Sequence, residues 1–185
     1  MKQFHGSHLR LTRARVTRMQ FPIMAHIPGL RSPYAKVGRL VYFGRMIDKI
    51  RLHAAGKLPA AYVSNLGDTG GAGMFDGRCC RFLGVDYAGL SAQTLAPGAG
   101  HAPADDEKLL AWAHAHGTPR TDEECVIWNH HMTKLGWRDS ARARIEARIA
   151  EGGAALAGKK IETYFDYLDA DEGRDPATER LWEKI

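Results

Sequence analysis

Hydrophobic residues recur at helical spacing over most of the chain. The clearest stretch spans residues 38–56, where five apolar side chains lie three or four positions apart and so share one face of a helix. Gly56 stands where a C-terminal cap would lie, and Pro59 prevents further continuation. We therefore predict a helix over residues 38–56. Its apolar face consists of Leu40, Phe43, Ile47, Ile50 and Ala54.

Capping residues and helix breakers mark further helices along the chain. Thr121 followed by Glu124 forms a capping box, in which a hydroxyl and a carboxylate satisfy backbone N–H groups reciprocally. The helix that begins there is predicted to end at Gly136. The remaining predicted helices span residues 76–83, 86–95, 105–116, 139–151 and 159–168, and a loop over residues 96–104 separates the second from the third.

The pattern predicts an all-α protein. Only residues 60–66 resemble a strand, and a single strand has no partner in a sheet. The chain of 185 residues suits one domain with its own core, so we predict a single compact multi-helix domain, with a small α+β fold as the alternative. We assign residues 24–174 to this domain, residues 1–23 to a basic leader and residues 175–185 to a C-terminal tail.

The net charge of +5 lies entirely in the leader. Residues 1–23 hold five basic side chains and no acidic one, whereas the rest of the chain is balanced. The leader is either a segment preceding a true start at Met24, a disordered arm that contacts polyanions, or a transit peptide. We therefore expect nucleic-acid contact only through the leader, because the folded body lacks the excess positive charge that such binding needs.

Composition indicates the cellular compartment of the protein and argues against a membrane-spanning segment. No apolar run approaches the roughly 18 to 20 residues that would cross a bilayer. Three cysteines, two of them adjacent, do not form a disulfide framework. We therefore expect a cytoplasmic protein without membrane partners.

The residues that usually hold cofactors or metals are not in the required patterns. Residues 65–77 contain five glycines but no lysine, so we interpret this stretch as a surface loop rather than a phosphate-binding loop. Adjacent His130 and His131 diverge on a helix and cannot bind one ion together. The acidic stretch 169–173 fails the EF-hand pattern and is interpreted as a solvated turn or as partners for a basic helix. We expect no cofactor and no metal.

The charged face of the predicted helix 38–56 is the candidate site. One interpretation is an exposed face with weak surface ion pairs. The other is a partly buried Arg–Asp–Arg network, in which Asp48 orients Arg45 or Arg51 toward a carboxylate or phosphate ligand. His53 would then act as an acid or base near neutral pH. The candidate ligand-binding residues are Arg45, Asp48, Lys49, Arg51 and His53.

Several segments resemble a known family. They are RSP (31–33), GRLVYFGRMIDKIRLHAAGKLP (38–59), FDGRCCRFLGVDY (75–87), the helix around Trp112 and VIWNHHMTKLGWRD (126–139). Together they resemble the domain-of-unknown-function 5069 family of small bacterial proteins over residues 27–174. Arg39 stands where a second glycine is expected, and the glycines at 70–73 look like a local expansion. The resemblance implies that Arg45, Asp48, Lys49 and Arg51 form the family signature, and it implies no activity.

Three functional hypotheses follow. The first is a protein that binds a small anionic metabolite at the Arg–Asp–Arg face, with or without catalysis. The second is an interaction or self-association module, in which the same helix and Trp112, Trp128 or Trp137 form the contact face. The third is nucleic-acid contact through the leader. Semi-buried arginines beside a cavity would favour the first, and an exposed aromatic patch would favour the second.

Overall fold

The computed structural model describes residues 26–68 and 73–180, and these residues are mostly helical. The predicted fold class is therefore confirmed. The elements in chain order are β1 (Lys36–Val37), β2 (Leu40–Val41), α1 (Phe43–Ala54), α2 (Ala60–Val63), α3 (Phe75–Leu83), α4 (Tyr87–Thr94), α5 (Pro103–His116), α6 (Asp122–Lys134), α7 (Arg142–Gly152), a 3-10 turn (Gly153–Ala155), α8 (Tyr164–Asp171) and α9 (Pro176–Glu179).

A small hairpin precedes the first helix. Strands β1 and β2 pair antiparallel, with Val37 opposite Leu40. Gly38 turns the chain with a φ of +53°, a conformation that glycine adopts at little cost. Tyr42 also has a positive φ, at +71°, so helical geometry cannot extend back through it. The prediction that the helix starts at residue 38 was therefore wrong, and α1 begins at Phe43.

Helix α1 lies at the centre of the protein. Every residue from Phe43 to Ile50 is buried, so the apolar face and the charged face are both enclosed. The hairpin, α3, α4, α5, α6 and α8 surround it with one continuous apolar core. The most deeply buried side chains of this core include Leu40, Phe43, Met46, Ile47, Leu83, Leu90, Met132 and Phe165.

Capping residues fix several other helices where the sequence predicts them. Gly84 ends α3 with a φ of +70°, and the carboxylate of Asp86 accepts a hydrogen bond at the start of α4. The Thr121–Glu124 capping box opens α6 as predicted. The predicted start of the last long helix at residue 159 was wrong, because Thr163 caps this helix and it begins at Tyr164. Residues 60–66, which resemble a strand in sequence, contain the short helix α2.

The end of the described chain returns to its beginning. The guanidinium of Arg174 donates a hydrogen bond to the carbonyl of Leu30, and α9 packs against α8. Arg180 pairs with the buried Asp166 on α8 at 2.6 Å. The predicted leader, residues 1–23, lies outside the described residues. No helix in the described part of the chain is long and apolar enough to cross a membrane.

Candidate functional site

The charged side chains of α1 are enclosed by the protein. Arg45 is 1% exposed, Asp48 6% and Lys49 3%. The interpretation of this face as an exposed row of weak surface pairs is therefore wrong. An enclosed charge is costly unless an opposite charge or hydrogen bonds compensate it, so the partners of each side chain decide what it does.

Arg45 pairs with an acid from the far end of the chain. Both terminal nitrogens of its guanidinium donate to the two carboxylate oxygens of Glu172, and Nη1 also donates to the carbonyl of Arg31 at 2.9 Å. Glu172 accepts further hydrogen bonds from Tyr62 at 2.7 Å and from Arg174. Burial alone would raise the pKa of Glu172, but the hydrogen bonds and charge of Arg45 lower it below its usual value. The ion pair of Arg45 with Glu172 therefore links α1 to the segment after α8.

Lys49 is also paired inside the protein. Its ammonium lies 2.5 Å from the carboxylate of Asp76 on α3 and 3.2 Å from the hydroxyl of Tyr42. Burial lowers the pKa of Lys49, and the charge of Asp76 opposes that shift. Asp76 additionally accepts from the hydroxyl of Tyr42 and from the backbone N–H of Gly67. The cluster ties α1 to α3 and to the residues before α3.

Asp48 holds an arginine that the candidate set did not include. Its carboxylate accepts from Nε and Nη2 of Arg31, at 2.6 and 2.7 Å, and from the backbone N–H of the same residue at 3.1 Å. The nearest nitrogen of Arg51 lies 4.0 Å from the carboxylate of Asp48. The hydrogen-bonded partner of Asp48 is therefore Arg31 and not Arg51. The prediction that Asp48 orients Arg45 or Arg51 was therefore wrong, because Asp48 orients Arg31 instead.

Arg51 has a different environment from the other arginines of this region. Nη1 donates to Asp106 at 2.8 Å, and Nη2 donates to the carbonyl of Gly100 at 3.0 Å. Asp106 also accepts from Arg31 at 2.7 Å, so two arginines and two aspartates form an alternating cluster. The Nε of Arg51 is buried and has no hydrogen-bond partner. One donor of this guanidinium is therefore unused.

An open groove of about 520 Å³ lies beside this cluster. His101 and Lys57 are exposed on its walls, and Asp48 contributes its small accessible part. His53 is exposed on α1 and does not line this groove, nor do Arg45 and Lys49. Of the five candidate residues, the structure thus brings Asp48 and Arg51 to one opening. The lining is Gly29, Leu30, Arg31, Asp48, Arg51, Leu52, Ala55, Lys57 and His101.

Local sequence patterns gave little indication of which side chains pair with Arg45, Asp48 and Arg51. Arg31 lies in the RSP segment of the resemblance, but no local spacing links it to Asp48. Glu172 falls in the acidic stretch 169–173, whose interpretation as partners for a basic helix agrees with its contact to Arg45 on α1. Asp106 follows the predicted start of a helix and carries no signal of its own.

The described parts of the stretches considered for phosphate and metal binding add no second site. Residues 69–72 of the glycine-rich stretch lie outside the described part of the chain. On its described side, Gly67 donates its backbone N–H to Asp76. Among residues 26–68 and 73–180, no three His, Cys, Asp or Glu side chains are placed to hold a metal ion together.

Comparison with known proteins gives a family. No curated protein and no solved structure matches the chain. A family model described as a domain of unknown function, DUF5069, matches residues 27–174, a span that includes Arg31, all of α1, Asp106, Glu172 and Arg174. The chain therefore belongs to the DUF5069 family.

Proposed function

We propose that this protein binds a small anionic metabolite in the groove beside Arg51. The observation that carries the proposal is an open groove of about 520 Å³ that three basic side chains, Arg31, Arg51 and Lys57, line together with one acid, Asp48. Charge-assisted hydrogen bonds from arginine to a carboxylate or phosphate are among the strongest that proteins make.

The charges around the groove support an anion rather than a cation. Arg31 and Arg51 are balanced by Asp48 and Asp106. Lys57 lines the groove and is exposed, and it adds one positive charge to this balanced cluster. His101 also lines the groove.

The proposal changes the roles of the candidate residues. Arg51 is the anchor, and Asp48 acts through Arg31 by holding one wall of the groove. Arg45 and Lys49 support the fold, because their donors meet Glu172 and Asp76. His53 has no part in binding under this proposal, since it does not line the groove. A cytoplasmic location is part of the same proposal, and the free buried thiols of Cys79, Cys80 and Cys125 are compatible with a reducing compartment.

A thermal-shift screen tests the proposal. The screen uses phosphate, sulfate, and mono- and dicarboxylates as probes, and the hits are quantified by calorimetric titration. A ligand at 100 times its Kd stabilises the folded protein by about 2.7 kcal/mol, which a thermal shift detects. We expect Arg51→Lys to weaken binding at least about tenfold, because lysine keeps the charge but loses the planar fork.

His53→Ala is the matched control, since it removes a charged-face residue of the same helix outside the groove. It should leave affinity unchanged. Absence of any stabilising anion at millimolar concentration, or equal losses in the two variants, would contradict the proposal.

Self-association remains a second prediction. Trp128 is buried, whereas Trp137 is 48% exposed, and Val126 and Ile127 on α6 are 51% and 61% exposed. Two adjacent exposed aliphatic residues on one helix favour an apolar contact surface there. Nucleic-acid contact through the leader concerns residues outside the described part of the chain.

A further inference from the structure

We infer that an exposed basic surface at the end of α6 binds single-stranded nucleic acid. This surface, the basic strip, consists of Arg78, His131, Lys134, Trp137 and Arg138. None of these residues lines the groove beside Arg51, so the inference does not depend on the proposed function. It also goes beyond the sequence prediction, which placed nucleic-acid contact in the leader alone.

The members of the basic strip follow one another along the surface. Nη1 of Arg78, on α3, lies 3.4 Å from Nε2 of His131 on α6. Lys134 lies three positions after His131, and residues at that spacing are neighbours on one side of a helix. The backbone carbonyl of Lys134 accepts a hydrogen bond from the N–H of Trp137 at 2.9 Å. The guanidinium carbon of Arg138 lies 5.0 Å from the centre of the Trp137 ring, so the strip is continuous.

The basic strip carries positive charge that no neighbouring acid neutralises. In the described part of the chain, Arg78, Lys134 and Arg138 form no ion pair, whereas two other arginines, on α7, each pair with a glutamate one turn away. Residues 131–148 hold five lysines and arginines and two acids. The charge balance of residues 24–185 therefore conceals a local surplus of three positive charges. A surplus of this kind attracts phosphate groups.

The turn that carries Trp137 and Arg138 has a fixed backbone. The carboxylate of Asp139 accepts hydrogen bonds from the N–H groups of Gly136 and Ala141, both at 2.8 Å. Arg138 has a φ of +54°, a left-handed conformation that residues with a side chain seldom adopt. Both side chains are therefore presented by a constrained segment, and a preorganised site loses less entropy when it binds.

Trp137 supplies a ring on which a base can stack. It is 48% exposed, whereas Trp128 on α6 is 7% exposed and belongs to the core. Every nucleobase has a flat π-face, and bases stack on aromatic rings and on arginine planes with little regard to sequence. Bases in a duplex are already stacked on one another. The exposed ring beside Arg138 therefore favours a single strand.

The surroundings of Trp137 favour a nucleic acid over a membrane surface. Arg138, Asp139 and Ser140 follow it directly and are exposed, and the exposed Lys134 lies one turn before it. A segment that lies in a membrane interface needs a continuous apolar face, which these residues do not form. Separate cations around one aromatic ring instead match a strand that alternates phosphates with bases.

Fluorescence anisotropy with the full chain tests the inference. The probe is a labelled oligothymidylate of about 12 nucleotides, and its duplex with oligoadenylate is the comparison. We expect the single strand to bind at least about fivefold more tightly than the duplex, because only the single strand offers unstacked bases. Oligouridylate is titrated in parallel, and binding of either single strand supports the inference. Equal affinities for single strand and duplex would overturn it.

A pair of double variants tests the charge of the basic strip. Lys134→Gln/Arg138→Gln should weaken binding at least about tenfold at about 50 mM salt. It should also reduce the slope of log affinity against log salt by about 1.4, since each neutralised phosphate of a single strand contributes about 0.7. Lys36→Gln/Lys57→Gln removes two exposed charges outside the strip and should leave the slope unchanged. Equal changes in the two variants would overturn the assignment to the strip.

Two substitutions of Trp137 test stacking. Trp137→Leu keeps an apolar side chain without a ring and should weaken binding at least about fivefold, with the salt slope unchanged. Trp137→Phe keeps a ring and should stay within about twofold of the wild type. Equal losses in the two variants would show that the ring is not used and would overturn the inference.

A further full-chain variant separates the basic strip from the leader. Its five basic residues within positions 1–23 are replaced by glutamine. We expect this variant to retain binding and its sensitivity to Trp137→Leu. Loss of all binding in this variant, with none in the strip variants, would overturn the inference. Binding to phosphatidylserine vesicles without binding to either single strand would overturn it too, as would no binding of either strand at about 50 mM salt.

Discussion

The two ends of α1 place the same kinds of side chain in different surroundings. In its first two turns, Arg45 and Lys49 are enclosed. Arg45 pairs with Glu172 after α8, and Lys49 pairs with Asp76 on α3. In its last turn, Arg51 lies beside an open groove and retains an unpartnered Nε. The difference between the ends is therefore the completeness of hydrogen bonding, and sequence spacing along the helix does not reveal it.

The comparison separates charge that holds the fold from charge that is available to a ligand. Burial with complete pairing makes a residue expensive to remove and unavailable for binding. Partial pairing at an opening makes a residue less important for stability and more important for recognition. Substitutions at the two ends should consequently have opposite effects on stability and on binding.

The largest effect is expected from removing Glu172. Glu172→Ala leaves the enclosed Arg45 without its carboxylate, whereas Arg174 keeps Asp169, and loss of one partner from a buried pair costs about 3 to 5 kcal/mol. Urea denaturation followed by circular dichroism measures this cost. Glu146→Ala removes the acid of an exposed pair on α7 and should cost less than about 1 kcal/mol. Similar costs for the two variants would contradict the distinction between the ends.

An intermediate effect is expected from Asp169, which belongs to the same enclosed region. Burial raises its pKa from the ordinary 3.8 to about 7, although hydrogen bonding from Ser32 and the charge of Arg174 oppose the shift. The carboxyl group of Asp169 loses its proton near pH 4 in the unfolded chain and near pH 7 in the folded protein. Between these two values only the folded protein holds the proton. Because the folded state binds more protons in that window, the contribution of Asp169 to stability falls as the pH rises through it.

Asp169→Asn removes that proton exchange. The difference in unfolding free energy, wild type minus variant, should decrease by about 3 kcal/mol between pH 4.5 and pH 7.5. Urea unfolding of both proteins at four pH values across the window measures it. Ser32 can still donate to the asparagine oxygen, so the contact itself is retained. Parallel curves for the two proteins would show that Asp169 does not titrate in this range.

The smallest effect on stability is expected at the groove. Arg51→Met keeps the apolar stem, and Asp106 keeps its hydrogen bond from Arg31, so the loss should be about 1 kcal/mol. The same urea measurement compares it directly with Glu172→Ala. A loss as large as that of Glu172→Ala would place Arg51 among the residues that hold the fold and would weaken the case for it as a ligand anchor.

Local signals predicted the helices whose ends depend on neighbouring residues. The Thr121–Glu124 box, the carboxylate of Asp86 and the glycine at 84 act within a few positions of one another, and the structure shows the corresponding helix ends. Helical spacing also located α1. The all-α class followed from these elements without any knowledge of how they pack.

The packing of the charged face could not be predicted in the same way. A helix with one apolar face and one charged face normally lies at the protein surface, so its pattern favours solvent exposure of Arg45 and Lys49. Their burial depends on Glu172 and Asp76, and Glu172 lies 127 positions from Arg45. The hairpin before α1 depends on the left-handed conformation of Tyr42, which single-residue preferences oppose. Asp48 and Arg51 were predicted as site residues, whereas Arg31, which pairs with Asp48, was not.

The contact between Arg45 and Glu172 also bears on how the chain folds during synthesis. Arg45 belongs to the first helix, and its acid is made near the end of the span matched by the family. In a nascent chain that ends before residue 172, Arg45 has no carboxylate partner. Its burial is then uncompensated, so α1 cannot pack stably into the core. We therefore expect the domain to complete its fold only after residue 172 has been synthesised.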